Sequence, residues 1–321
     1  MKKNAIRVIF GFVSLYLLAG TVFAADMLIP VGRVIGLDLY SSTVTVAAFD
    51  DTVCAARESG LQVGDEICRI DDRIIDSAED VRRALVESDG SVDLTVKRDG
   101  RERQIHLEPR ITRDGPKLGV YLRQGITGIG TVTWYDPQTG SFATLGHAVN
   151  DRKGNLLNMS RGCAYPATIV SVQKGKSGAP GQLKGALNAD VLLGTLNRNT
   201  SQGVFGIAAD GWAGEAIPVA ACSEIHTGSA AIRSTVCDGA PRDYSVEIIK
   251  LYPKGRADGR NMLIKVTDPD LIAATGGIVQ GMSGSPIIQD GKLVGAVTHV
   301  LVNDPTTGYG IFIENMLDAA A

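Results

Sequence analysis

A chain of 321 residues has room for two domains, each with its own hydrophobic core. Its formal net charge of −3 argues against a nucleic-acid binder, whose phosphate-facing surface would show as a basic excess. Thirty-eight glycines beside only 5% aromatic residues point to a mainly β protein with many tight turns.

Lys2, Lys3 and Arg7 precede an apolar run, Val8 to Ala25, that ends in Val22-Phe23-Ala24. Residues 1–25 therefore read as an export signal, cleaved or retained as a membrane anchor by residues 8–25, and the rest of the chain is expected outside the cytoplasm. Cys54, Cys68, Cys163, Cys222 and Cys237 have neither metal-ligand nor CxxC spacing. An odd number leaves at least one thiol unpaired; Cys222 and Cys237 are the pair able to close a loop, and buried free thiols are the simpler reading.

Residues 29–109 read as a first folded unit. Val31 to Leu39 is extended and Thr43 to Val46 alternates as a strand. Ser77 and Asp80 make a helix start, and Val81, Ala84 and Leu85 give that helix its apolar face. Val92, Leu94 and Val96 form one strand, Asp99-Gly100 a hairpin turn, and Ile105 and Leu107 the return. Between these lies Ser59 to Ile67, S-G-L-x-x-G-D-x-I, which resembles the PDZ domain signature, and the order of elements is similar to the permuted bacterial PDZ arrangement. The resemblance implies an extended peptide added to a sheet edge, its carboxylate held by loop N–H groups, with Val34, Ile35, Gly36 and Leu37 as the binding loop and strand.

A polar connection, Arg110 to Lys117, leads to residues 115–321. Short apolar runs between glycine turns recur there, among them Leu118–Leu122, Gly128–Tyr135, Ala167–Val172 and Leu293–Val300, and suit a pair of packed β-barrels. Gly281-Met282-Ser283-Gly284-Ser285-Pro286 sets a serine among small residues, where a sharp turn exposes the hydroxyl and aims main-chain N–H groups at what it attacks. Such a serine needs a histidine to take its proton, and His147 in TLGHAV has the most suggestive setting of the four histidines. Ser285 is the rival nucleophile and His299 the rival base; the restriction imposed by Pro286 favours Ser283. His106 and His226 read as structural or solvent-facing. No metal-ligand cluster and no nucleotide-type glycine loop is present, so neither a metal nor an organic cofactor is expected.

Gly281 to Pro286 resembles the G-D-S-G-G-P motif of chymotrypsin-like peptidases. GIGTVTWYDPQTGSFATLGHAV and KVTDPDLIAATGGIVQGMSGSPIIQDGKLVGAVTHVLVNDPTTGYG resemble the two signature blocks of the stage IV sporulation protein B peptidases. That resemblance implies a PDZ domain followed by a double β-barrel peptidase, with His147, Asp268 and Ser283 as the triad. The chymotrypsin-like loop suggests the N–H groups of Gly281 and Ser283 as oxyanion donors. Asp268 lies unusually close before the serine, so it either orients His147 or caps the Asp270–Ala274 segment and steadies the nucleophile loop. Asp190, Asp210 and Asp243 remain alternatives, and Asp304 reads as a turn residue. The family further implies secretion from the forespore into the intermembrane space, self-cleavage, a PDZ ligand, and cleavage of a membrane-bound regulator of an intramembrane protease. A catalytically silent PDZ scaffold and an HtrA-like quality-control protease are the other classes open to the sequence.

Overall fold

Apolar and polar residues alternate along most of the chain, and each alternating run pairs as a strand with one face inward. The computed structural model describes residues 27–51, 55–151, 153–237, 239–252 and 259–321; the expected export signal, residues 1–25, and Cys54 lie outside them. β1 (Met27–Pro30) and β2 (Val34–Phe49) are followed by α1 (Ala55–Glu58), β3 (Glu66–Ile70), β4 (Arg73–Ile74) and α2 (Ala78–Val86). β5 (Val92–Arg98), β6 (Arg101–Leu107), β7 (Arg110–Thr112) and β8 (Gly115–Lys117) lead to the long β9 (Val120–Tyr135). Next come β10 (Ser141–Thr144), β11 (Met159–Gln173), β12 (Gln182–Leu187), β13 (Gly194–Thr200), β14 (Gly203–Ala208) and β15 (Ile217–Pro218). The last third holds β16 (Gly228–Ser234), β17 (Arg242–Leu251), β18 (Met262–Val266), α3 (Pro269–Thr275), β19 (Pro286–Gln289), β20 (Lys292–Leu301), β21 (Asp304–Phe312) and α4 (Ile313–Ala320).

Two barrels result, and the fold is that of a chymotrypsin-like double β-barrel. In the first, β2, β9, β10, β14, β13 and β11 form a ring, closed by the pairing of β2 with both β9 and β11. Leu37, Leu39, Val132, Phe142, Leu196 and Val204 fill it. The second is the closed order β16-β17-β18-β21-β20-β19, filled by Ile232, Ile248, Met262, Ile264, Ile287 and Val297 among others. Ile313 and Met316 of α4 are buried in a separate cluster with Trp134, Phe205 and Leu293. Among the described residues no helix is long and apolar enough to cross a membrane.

The first unit expected from the sequence is present as a separate core of Val44, Val46, Leu61, Ile67, Ile70, Val81, Leu85 and Leu94, but its borders differ. Its signature turn is built as the residues require: Asp65, 1% exposed, accepts from the Gln62 N–H at 2.8 Å and from Arg98 Nε–H and Nη2–H at 2.6 and 2.7 Å. Only the second half of β2 belongs to it. β2 pairs with β9 from Val34↔Thr131 to Tyr40↔Gly125 in the barrel, then shifts register and pairs again from Thr45↔Arg123 to Phe49↔Val120 in the small unit. One two-stranded ribbon thus runs through both bodies, and the Arg110–Lys117 connection is the hairpin β7–β8. Leu118–Leu122 and Gly128–Tyr135, expected as separate strands, fall almost wholly within β9.

That topology corrects the expected peptide-binding stretch. Ile35, Gly36 and Leu37 pair with Gly130, Ile129 and Gly128 on one side and with Pro166, Tyr165 and Ala164 on the other. Val34, Ile35 and Leu37 are buried, so this strand offers no edge and no groove to a peptide. Gly36 is a glycine for packing: a Cβ there would lie 2.3 Å from Leu187 Cδ2. An alternating apolar run reads the same whichever sheet receives it.

Candidate active site

The histidine reaches the barrel interface through a forced turn. After β10 the chain passes through two consecutive left-handed residues, Leu145 (φ +72) and Gly146 (φ +67), before His147. A leucine in that region costs on the order of 1–3 kcal/mol, a strain usually kept only where surrounding packing enforces it. Here the Leu145 side chain is buried, its N–H donates to the Thr131 carbonyl at 3.4 Å, and Gly146 N–H donates to the Thr144 carbonyl at 2.9 Å. A Cβ on Gly146 would press on Thr298 Cγ2 at 3.0 Å and Ile311 Cγ2 at 3.1 Å, both from the second barrel. The glycine of L-G-H is therefore set by the fit between barrels.

The nucleophile loop is held from several directions. Gly284 has φ +95, and a Cβ there would lie 2.0 Å from the Thr131 carbonyl oxygen, so no larger residue fits. Met282 is wholly buried and anchors the loop in the second core. Ser285 is also wholly buried, with its hydroxyl donated to Ser234 Oγ at 3.0 Å, whereas Ser283 is half-buried and lines the cavity between the barrels. The N–H groups of Met282, Gly284 and Ser285 donate to Val279, Val297 and Met282 carbonyls. Among the described hydrogen bonds none uses the N–H of Gly281 or Ser283. The Gln280 carbonyl accepts from Leu183 N–H at 2.8 Å and the Met282 carbonyl from Ser285 N–H at 2.9 Å. Because N–H and C=O point oppositely across a trans peptide, those bonds also aim the two vacant N–H groups.

The cavity measures about 490 Å³, with His147, Ser283, Gly281, Thr298 and His299 on its walls and Ile278, Val279 and Val300 making it largely apolar. His147 Nδ1–H donates to its neighbour's carbonyl, Ala148 O, at 2.8 Å. A carbonyl only accepts, so the proton sits on Nδ1 and the lone pair of Nε2 is left for a hydroxyl proton, the tautomer a general base needs. Burial pushes the imidazole below its ordinary pKa, and the Ala148 carbonyl opposes that in part. Ser283 Oγ–H donates to the Thr298 carbonyl at 2.9 Å. The His299 ring lies 5.3 Å from that of His147, centroid to centroid. His106 is on the small unit beside Asp93, and His226 pairs with Asp290 on the surface.

Asp268 stands elsewhere than a triad acid would. Its carboxylate is the N-cap of α3, accepting from Asp270 N–H and Leu271 N–H, both at 3.0 Å, and from Ser245 N–H at 3.2 Å. Among the described residues no carboxylate lines the cavity. Asp243 pairs with Arg233, and Asp304 accepts from the hydroxyls of Thr306 and Thr307. The physical reason is local: an aspartate before proline at the start of a helix meets donors of its own turn first. Sequence reasoning missed Thr131, the Thr298 carbonyl and the Ala148 carbonyl. Two of these are main-chain groups, which carry no residue signature.

A histidine on one barrel and a serine hydroxyl on the other, lining a shared cavity, are what a serine peptidase of chymotrypsin-like fold requires. The class narrows further: the family model SpoIVB peptidase S55 matches residues 114–317, well over half of the chain, and the chain belongs to that family. A search of curated protein sequences finds no match. Among solved structures, the "Crystal structure of Rv3671c protease, inactive form" is similar at 14% identity and a TM-score of 0.35, over 60% of this chain and 82% of that one. That likeness is too slight to bear on the site.

Proposed function

We propose that this chain is an exported endopeptidase of sporulation signalling, secreted from the forespore into the space between the two spore membranes. There it cleaves itself and a membrane-bound regulatory protein, and so releases an intramembrane protease that processes the late mother-cell sigma factor. The observation that carries the reading is that His147 and Ser283 line one cavity in a chain of the SpoIVB peptidase family. Ser283 attacks the peptide carbonyl after its proton turns from the Thr298 carbonyl to His147 Nε2. The protonated imidazole then passes the proton to the leaving amine. The N–H groups of Gly281 and Ser283 receive the oxyanion. Asp268 serves by capping α3, which leads into the nucleophile loop, and the Ala148 carbonyl takes the orienting place behind His147.

The small unit is a PDZ-like peptide binder, and its docking edge is the start of β9, not Val34–Leu37. Val120–Arg123 pairs with β2 on one side, and among the described residues no strand takes the other. Leu118 and Gly119 (φ +79) precede it as a loop, and Gln124 ties the strand to the start of α2 by bonds to Asp76 O and Ala78 N.

Fluorophosphonate labelling of residues 27–321 and three variants tests the catalytic reading. Ser283→Ala and His147→Ala are expected to lose labelling by orders of magnitude. Asp268→Ala, measured well below its melting temperature, keeps labelling within a few-fold while losing about 1–2 kcal/mol of stability. Serine-independent labelling, or none from the natural chain, would leave only a peptide-binding scaffold. Loss of labelling in a fully stable Asp268→Ala would return that aspartate to the triad. Incubation with a membrane-anchored candidate regulator, with and without Ser283, checks the substrate.

A further inference from the structure

We infer that Thr131 is the positioning residue that sets the oxyanion loop against the histidine turn. The inference rests on the reading of Ser283 as nucleophile and adds a residue that reading does not use. Thr131 lies on β9 of the first barrel, is 0% exposed, and bonds to both catalytic loops through all three of its polar groups. Its hydroxyl donates to the Gly281 carbonyl at 2.8 Å. Its N–H donates to the Ser283 carbonyl at 2.9 Å. Its own carbonyl accepts from Thr144 Oγ1 at 2.6 Å and from Leu145 N–H at 3.4 Å, in the turn that delivers His147.

The hydroxyl is the informative contact, because a side chain here does what the ladder does not. The Gly281–Met282 peptide separates the two peptides that carry the vacant N–H groups of Gly281 and Ser283, residues that both line the cavity. Its N–H is fixed by the Val279 carbonyl at 3.1 Å, and its C=O is fixed by Thr131 Oγ1. Gly281, at φ +100, is free to occupy backbone regions closed to other residues, so the loop's own covalent geometry does not hold that peptide in place. Remove the hydroxyl and the Gly281 carbonyl is left without its bond at the barrel interface. Reorientation of the 281–282 peptide then relieves the carbonyl and shifts the Gly281 and Ser283 N–H groups from the directions in which the loop now holds them. Thr131 acts through Gly281 and Ser283 and not on a substrate atom.

The test is the kinetics of fluorophosphonate inactivation, split into kinact and KI, for the natural chain, Ser283→Ala, Thr131→Val, Thr131→Ala and Thr131→Ser. Val keeps the shape and both main-chain bonds while deleting the hydroxyl. Ala deletes it without putting a methyl against the Gly281 carbonyl, and is read should the Val variant unfold. Loss of one oxyanion donor typically costs about 10²- to 10³-fold, so misaiming the pair is expected to lower kinact by about tenfold or more with KI nearly unchanged. Thr131→Ser is expected to restore kinact to near the natural value. Natural kinact in both Thr131→Val and Thr131→Ala, a loss confined to KI, or failure of Ser to rescue would overturn the positioning role while leaving Ser283 as nucleophile. Absence of Ser283-dependent inactivation in the natural chain would overturn both.

Discussion

His147 carries its own pH prediction. Burial lowers its pKa from the usual value of about 6.5, so the folded imidazole stays neutral, and able to accept a proton, at pH values where an exposed histidine is already charged. The acid limb of the inactivation rate against pH is therefore expected below 6.5. The linkage has the same direction: the unfolded chain binds the proton more readily, so the stability contributed by neutral His147 is complete above about 6.5 and is lost as pH falls toward the folded value. A limb lying above 6.5 would mean that a negative group faces the ring in the working enzyme, and would send the search back to the acids that now stand outside the cavity. Of the site, His147 and Ser283 are legible in the sequence because each sits beside a glycine whose freedom the turn needs. Asp268 is a triad candidate through the family resemblance alone, and a capping aspartate and a catalytic one look alike until the donors around them are placed.

At the scale of elements, β9 does two jobs, and only one is readable in advance. Its second half, GIGTVTWY, is β-forming and buried from Gly130 onward, and reads as a strand. Its first half reads as another strand, and the sixteen-residue continuity is hidden because glycines at 125, 128 and 130 look like punctuation. Gly125 is a close approach and not a break: a Cβ there would lie 2.1 Å from the Leu39 carbonyl oxygen across the ribbon. The proposed docking edge at Val120–Arg123 depends on this strand and is tested on it. Phage-displayed peptides with free C-termini are expected to be retained by residues 27–321. Gly119→Val, which forces a β-branched residue into φ +79 just before the edge, is expected to retain at least about tenfold less, with Ser283 labelling unchanged. Equal retention by both would move the ligand, or its absence, elsewhere on the small unit.

For the whole molecule, the consequence of the shared ribbon is that the catalytic unit does not begin where its family signature begins. Residues 114–317 carry that signature, yet the first barrel is closed by β2, which lies before the small unit in the chain and pairs with both β9 and β11. A fragment of residues 114–321 loses the buried Val34, Ile35, Leu37 and Leu39, and exposes the facing edges of two strands. At about 1.5–3 kcal/mol for each buried side chain, those four alone remove roughly 6–12 kcal/mol. That is comparable to the whole stability of a typical domain, about 5–15 kcal/mol. The 114–321 fragment is therefore expected to show no cooperative thermal transition and no fluorophosphonate labelling, while residues 27–321 show both. The converse excision is expected to be tolerated. Tyr40 and Gly125 are paired partners, so joining them through a two-residue Asn-Gly turn removes the small unit and leaves the barrel ring closed. A folded, labelled 114–321 fragment would show that β2 is dispensable, and the small unit would then be an appendage on a self-sufficient peptidase rather than an insertion into one of its barrels.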